Sequence, residues 1–438
     1  MEKTLLQKEV PVIGHYETIV CGGGPAGWVA AVASARSGRR TALIERYGFL
    51  GGTATAGLVV PISGCFHNGK QVVGGIAWEF VQQMVSAGAA KVELPKGHVS
   101  FDPEVYKLAA WRMVLQSGVD LYTNAYLSHC ETDGRRIKQI FIESKNGTEA
   151  LSADVFIDAT GDADLCHMAG AQMLPKSTEL QPMSMCFVLG GVDLTTDLLK
   201  NSIHHDGIHC KHSITTVIHD YLEELSHHED VPQFGGPWFN TVMNGDLVVV
   251  NLTRAAGDGT DRGSLTQAES KMRSDAFRLV ELLKAHFPEF KNCTIVSTAM
   301  QAGVRDTRHI RGLHTVTGEE ILRAEHYEDS IALCAHPMDI HVPHDNSQIL
   351  VHLPAPGEIP YRSLVSPDFD NLLAAGRCLS ADRDATATIR VQATLMAIGE
   401  AAGTAAGLWN GDIAHIDVPL LHEKLRSANA IFTTADRL

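Results

Sequence analysis

The sequence predicts an α/β protein in which a parallel-sheet domain is interrupted along the chain by an inserted α+β domain. Three observations predict it. Residues 18–45 read as an apolar strand, a glycine turn, a small-residue helix and a second strand, the order of a βαβ unit. From about Gln181 the pattern changes to short strands, long helices and wandering loops. From Asn371 it returns to a strand, a loop and a small-residue helix. The expected boundaries are 1–180 and 356–438 for the two parts of the first domain and 181–355 for the insertion. At 438 residues the chain exceeds one typical core, so two domains are the natural expectation.

The first unit carries the strongest chemical signal. Ile19 and Val20 lead into Gly22, Gly24 and Gly27 with G-x-G-x-x-G spacing. The first glycine allows the tight turn, the second lets a pyrophosphate approach the backbone, and the third lets the helix sit close on the strand. The helix starting near Pro25 would aim free N–H groups and a positive dipole end at the phosphates. Proline is tolerated there because a first-turn N–H has no helical partner. The helix face is small (Ala26, Ala30, Ala31, Ala33, Ala35) and ends at Gly38. The next strand, Thr41 to Glu45, delivers an acid about 20 residues after the loop, where a carboxylate accepts the hydroxyls of an adenosine ribose. These features make the domain Rossmann-like and bind it to a dinucleotide.

The later elements follow in order. Tyr47 to Gly57 is a second glycine-rich turn, bare enough for a close backbone approach to a flat ligand. Helices are expected at 75–87 and 102–116, the second capped by Asp102 with Pro103 in its first turn. Strands at 120–130 and 137–144 flank the turn Asp133-Gly134 and read as a hairpin. Residues 153–162 form a buried strand ending in a polar turn, and a helix follows at 165–169. In the insertion, strands are expected at 183–189, 247–252 and 293–301. The tail closes with one helix, 388–409, whose Gly399, Gly403 and Gly407 permit tight packing. No internal repeat is present.

Composition narrows the function classes. Lys and Arg number 36 against 51 Asp and Glu, a net charge of −15, which disfavours nucleic acid and anionic membranes as partners. No apolar run approaches the ~18 residues of a membrane span, and acids stand among the first ten residues, so a cytoplasmic location is expected. The nine cysteines are scattered and never spaced C-x-x-C. That disfavours a disulfide scaffold, a zinc knuckle and a dithiol redox centre. The histidine-dense stretch at 203–212 invites a metal reading but lacks a defined ligand set, and no metal is expected.

With the glycine turn, the Glu45 strand, the Gly51-Gly52 loop, Asp158-Ala-Thr-Gly-Asp162 and Ala375-Gly-Arg-Cys-Leu-Ser380 in this order, the chain resembles the FAD-dependent oxidoreductase family, part of the glutathione-reductase-like flavoprotein fold. Val304 to Gly312 and Pro360 to Leu364 also look like its internal motifs, so the resemblance covers nearly the whole chain. It implies a dinucleotide site of Gly22, Gly24, Pro25, Ala26 and Gly27, with Glu45 on the adenosine ribose and Arg46 beside the adenine or pyrophosphate. By the same resemblance Gly51, Gly52 and Thr53 line the flavin side, Ala125 and Tyr126 meet the adenine, and Thr160, Gly161 and Asp162 close over the diphosphate. In many relatives of the wider fold the last strand ends in Gly-Asp; here Gly376 is followed by Arg377, which leaves the ribityl partner open. A helix N-terminus near Thr388 would stabilise the negative charge of a reduced flavin. Arg390, read as part of that first turn, either adds a full positive charge there or binds a carboxylate of the fold.

The resemblance implies FAD, and missing parts argue against several of its chemistries. There is no redox cysteine pair for a disulfide reductase. Asp162-Ala-Asp-Leu-Cys-His167 lacks the arginine of aromatic hydroxylases, which leaves that chemistry a minor possibility. Arg46 to Leu50, just ahead of the flavin-facing glycines, contains no histidine, so FAD is expected to be noncovalent. What remains is hydride transfer between flavin N5 and a small organic substrate, as a dehydrogenase of C–OH or C–N or as a reductase of an activated C=C, with an electron donor or acceptor still to be identified. Such chemistry needs a proton handler and a cation that polarises an oxygen. The candidates are Arg305, Arg308, His309 and Arg311, then Asp339, His341 and His344, then Arg362. His341, Arg305, His309 and Arg362 are the catalytic set expected. Asp339 and His341 share a face if extended; Arg305 and Arg308 share one only if helical. Two alternatives stand beside this reading: a non-catalytic partner-binding protein of the same fold, as in the GDP-dissociation inhibitors, and NAD in place of FAD. The sequence leaves the oligomeric state open.

Overall fold

The computed structural model describes residues 4, 7–94, 97–196, 199, 214–241 and 247–436. Its main sheet has seven strands: Asp120–Tyr122, Thr41–Ile44, Val12–Cys21, Gly147–Asp158, Arg136–Ser144 and Tyr126–Asp133 in spatial order, with Leu372–Ala374 also on Gly147–Asp158. Gly147–Asp158 is long enough to do two jobs. Residues 147–152 pair antiparallel with Arg136–Ser144, while Phe156 to Asp158 pair in parallel with Leu372 to Ala374. A strand from the far end of the chain is thereby built into the first sheet, which is why the domain is discontinuous.

Parallel register aligns the strand ends. Cys21 lies beside Ile44 and Asp158, and Asp158 lies beside Ala374. The turns that follow these four residues therefore gather along one edge, the carboxyl edge where open α/β sheets bind ligands. The expected strand at 120–130 is instead two: it breaks at Asn124, which has a positive φ of 54°. Asp120–Tyr122 joins the parallel edge and Tyr126–Asp133 joins the hairpin at the opposite edge.

Behind the glycine turn, helix Pro25–Arg36 packs against Gln392–Ala406. A Cβ at Gly399 would stand 2.1 Å from the Ala26 carbonyl oxygen, and one at Gly403 equally close to that of Ala30. Two backbones touch, so only glycine fits at these crossings. The single helix expected over 388–409 is two helices, Arg383–Ile389 and Gln392–Ala406. Asp382 caps the first by accepting the Ala385 N–H at 2.8 Å, and the chain leaves helical geometry at Val391, the N-cap of the second.

The inserted sheet has four antiparallel strands in the order Phe234–Thr241, Val248–Thr253, Phe187–Gly190 and Thr294–Thr298. Helices Ile214–Ser226 and Arg262–His286 contribute Ile218, Leu222, Leu279 and Leu283 to its own core. Later residues behave differently: Val316, Ile331, Leu333 and Ile359 join the core that holds helices Pro25–Arg36 and Gln392–Ala406. Ser330–Cys334 pairs with Gly357–Pro360 across position 355. Among the described residues no helix is long and apolar enough to cross a membrane.

Candidate functional site

A cavity of about 810 Å³ opens at the carboxyl edge, within the range of cofactor and ligand sites. Gly22, Gly24, Pro25 and Ala26 line one wall. A Cβ on Gly22 would be 2.4 Å from the Ala159 carbonyl oxygen, while one on Gly24 would meet only the Gly52 Cα, at 4.0 Å. Gly22 is thus required by the backbone crossing, and Gly24 faces open space where a phosphate can approach. Gly27 stands behind this wall, where a side chain would strike the Gly22 carbonyl. Helix Pro25–Arg36 has no side-chain cap, so its positive end is left for an anion.

Glu45 sits beside this wall, 5% exposed. Its Oε2 accepts the Gly23 N–H at 2.7 Å and its Oε1 the Tyr47 N–H at 2.8 Å. Burial raises its pKa, and those hydrogen bonds oppose the rise. Arg46, Gly52, Thr53, Ala125 and Tyr126 also line the cavity; Gly51 and Thr388 lie outside the lining. The turn after Gly147–Asp158 is shaped by Asp158, whose carboxylate accepts the Thr160 N–H and hydroxyl and the Cys166 N–H at 3.0, 2.7 and 2.9 Å. Thr160, Gly161 and Asp162 are so presented to the cavity, opposite Gly376 and Arg377. Arg377 donates to Asp162 at 2.6 Å and to Thr307 Oγ1 at 2.8 Å. The last strand therefore brings a cation, and the neighbouring turn supplies the acid it faces.

A family model described as FAD dependent oxidoreductase matches residues 17–425. The chain belongs to that family. It is an FAD-dependent enzyme, and the bare Gly24 wall, the uncapped helix and the buried Glu45 carboxylate are features that fit the cofactor. Among curated proteins the chain is similar to a dihydrolipoyl dehydrogenase of Bacillus subtilis (strain 168), 27% identical over 194 residues, 40% of this chain and 38% of that protein. A dihydrolipoyl dehydrogenase of Trypanosoma brucei brucei is 40% identical over 57 residues, 13% of this chain and 12% of the relative. The chain thus matches well under half the length of these curated relatives. Among solved structures, a geranylgeranyl bacteriochlorophyll reductase-like protein of Thermoplasma acidophilum is 12% identical, with a TM-score of 0.47 over 97% of this chain and 81% of that one. A flavoprotein/dehydrogenase of Cytophaga hutchinsonii is 13% identical, with a TM-score of 0.48 over 95% and 84%.

In the oxidoreductase the cavity continues past the dinucleotide wall to a second group of residues, including Arg305, Asp339, His341 and Arg390. Asp339 and His341 lie two apart on strand Met338–His341 and share a face; His341 Nε2 is 2.9 Å from Asp339 Oδ2. Asp339 is also approached by Arg390 Nη2 at 3.3 Å and by the Gln348 amide. Its pKa falls well below the usual value: burial opposes this, but His341 and Arg390 overcome it. His341 is 2% exposed, and burial with nearby Arg305 drives its pKa well below the ordinary imidazole value, against the pull of Asp339. The pair is therefore a carboxylate and a neutral imidazole. Nε2–H then donates to Asp339, and Nδ1, which has no hydrogen-bond partner among the described residues, presents a lone pair.

The other expected members separate. Residues 305–308 are not helical: Arg305 turns to the cavity, while Arg308 pairs with Asp164 at 2.5 Å. His309 is held by Asp306 at 3.1 Å and by the Leu379 carbonyl at 3.0 Å, outside the cavity lining. Arg362 forms an ion pair with Asp329 at 3.0 Å, its side chain half exposed. Arg311 and His344 are exposed. Arg390 is the C-cap of Arg383–Ile389 rather than a first-turn residue of the closing helix, and Thr388 donates its hydroxyl to the His336 carbonyl at 2.5 Å. The closing helix instead begins at Gln392, another lining residue. Sequence reasoning missed Arg254, buried at the end of an apolar strand, and His336, which lines the cavity. A lone cation closing an apolar run was the signal for Arg254. Among the described residues no group of three or more candidate ligands could hold a metal; the stretch 203–212 lies outside them.

Proposed function

We propose that this oxidoreductase transfers a hydride between N5 of its FAD and a small organic substrate, with His341 handling the accompanying proton. The observation that carries the reading is a neutral, buried imidazole in the cavity, oriented by Asp339 and with Nδ1 unpartnered. Bound FAD would supply the hydride acceptor or donor. In the oxidising direction His341 takes the O–H or N–H proton at Nδ1 while the C–H hydride leaves the substrate; the reverse direction returns both. Asp339 holds the tautomer and stabilises the imidazolium that forms. Arg305 and Arg390 orient or polarise a substrate oxygen.

Gly22, Gly24, Ala26 and Thr160 to Asp162 would hold the diphosphate, Glu45 the ribose, and Gly52 and Thr53 the flavin side. The FAD is noncovalent in this reading, since residues 46–53 contain neither histidine nor cysteine. An electron donor or acceptor outside the site completes the cycle. A cytoplasmic setting belongs to the same reading, supported by eight described cysteines that are buried and unpaired.

The test is to purify the protein, release its cofactor with acid, and follow absorption near 450 nm while hydroxy acids, amines and enoates are added. Free FAD in the supernatant and substrate-dependent bleaching or recovery of that band are expected. A flavin that exchanges no electrons with any of these compounds would remove the hydride-transfer reading.

A further inference from the structure

We propose that the substrate is a small carboxylate whose anionic group lies against Arg305 and Arg390, with Arg254 close behind them, beside His341. The proposal rests on the hydride-transfer reading for the neighbouring reaction centre, and the anion site itself rests on charge and geometry. Arg305 is only 9% exposed, and its Nη1 donates to the Pro182 carbonyl at 2.6 Å and to Ser184 Oγ at 2.9 Å, both neutral acceptors. Arg390 uses Nη2 on Asp339, while its Nε has no partner among the described residues. Arg254 is 1% exposed and its Nη1 likewise has none among the described residues. Two guanidiniums, Arg305 and Arg390, thus line one chamber, and the field of Arg254, buried behind the lining, reaches Arg305.

The counter-charge is short. Asp339 acts on all three cations, with Asp345 helping at Arg254 and Asp306 at Arg390. Asp339 is already engaged by His341 and Gln348, and Asp306 by His309. Burial and mutual repulsion pull the Arg305 pKa down to about 9 and burial pulls that of Arg254 to about 10. Buried guanidiniums stay protonated, so these shifts measure how poorly the charge is compensated. A buried unpaired charge is costly, and an entering anion removes the cost. A planar carboxylate matches the guanidinium fork. Such a substrate would place its neighbouring C–OH or C–NH toward Nδ1 of His341.

Both halves of the chain build the site. Arg254 follows the inserted sheet and Arg305 the strand Thr294–Thr298, whereas Arg390 precedes the closing helix of the FAD domain. An anion there bridges the two cores.

Isothermal titration of the FAD-loaded protein with glycolate, oxalate, glycolamide and inorganic phosphate tests the proposal. Saturable carboxylate binding is expected, with glycolamide weaker by about a hundredfold or more, because the amide leaves the buried cations unpaired. Arg305→Gln should weaken glycolate binding by a similar factor at unchanged flavin content, and Arg305→Lys should restore part of it. Equal binding of glycolate and glycolamide, tighter binding of phosphate than of any carboxylate, or indifference to Arg305→Gln overturns the assignment. If Arg305→Gln does not fold, the glycolate and glycolamide comparison on the parent protein decides. Carboxylate binding without hydride transfer overturns the proposed reaction and leaves the anion site standing. Hydride transfer from an uncharged alcohol, with no carboxylate bound, overturns the anion site alone.

Discussion

His341 shows how surroundings set the chemistry of a side chain. An imidazole ordinarily titrates near 6.5; here burial and the field of Arg305 and Arg254 push the value well below that, while Asp339 opposes them. In the proposed reaction the base is the neutral form, so activity is lost as pH falls through the depressed pKa and is flat above it. Stopped-flow flavin reduction by substrate is therefore expected to be constant through neutrality and to decline only in acid, below the ordinary imidazole range. An inflection at or above 6.5 contradicts the assignment. His341→Ala should leave the flavin spectrum intact and slow reduction by about 10²–10⁴-fold. Asp339→Asn should slow it with a changed pH profile, since the amide no longer fixes the tautomer. The dyad was legible in sequence because alternation in a strand is local. Arg254 was not, because its burial depends on Gly235, whose Cβ would stand 1.9 Å from the guanidinium Nε.

Among the elements, the pair Pro25–Arg36 and Gln392–Ala406 carries the most weight, since it joins the two distant parts of the FAD domain. Gly399→Val would drive a side chain into the Ala26 carbonyl, and a loss of about 3 kcal/mol in urea unfolding, with reduced FAD retention, is expected. Glu400 in the same helix accepts the Ile76 N–H at 2.9 Å, and burial pushes its pKa up to about 8. A folded-state pKa above the unfolded value means that the folded chain holds the proton more tightly. Stability is then full below about pH 4.5 and declines as pH rises toward 8. Glu400→Gln should match the parent at pH 4 and exceed it at pH 8 by about 4 kcal/mol in the same unfolding assay. Small residues spaced for helix packing were readable. The break at Val391 was not, because nothing local forbids a helix there; Asp382 capping and the Arg390 contact to Asp339 decide it.

At the scale of the whole molecule, the wall proposed for FAD draws on residues near positions 24, 45, 126, 161 and 376, so bound cofactor and fold would stabilise each other. Adding FAD to the stripped protein at a hundred times its dissociation constant should contribute about 2.7 kcal/mol, seen as a melting temperature raised by about 5 °C. No shift with FAD would mean that the wall is not its site. The sequence alone determined the Rossmann-like unit, the FAD family, a late strand near Asn371 and the alternation that unites Asp339 with His341. Each rests on contacts between near neighbours or on a motif whose parts have fixed spacing. The tertiary structure decided that Arg305 enters the cavity while His309 and Arg362 turn to Asp306 and Asp329. It also brought Arg305 and Arg390 to one chamber, with Arg254 buried behind them. Which of many similar cations lies buried against which carboxylate is a property of long-range packing, and no local pattern of charge encodes it.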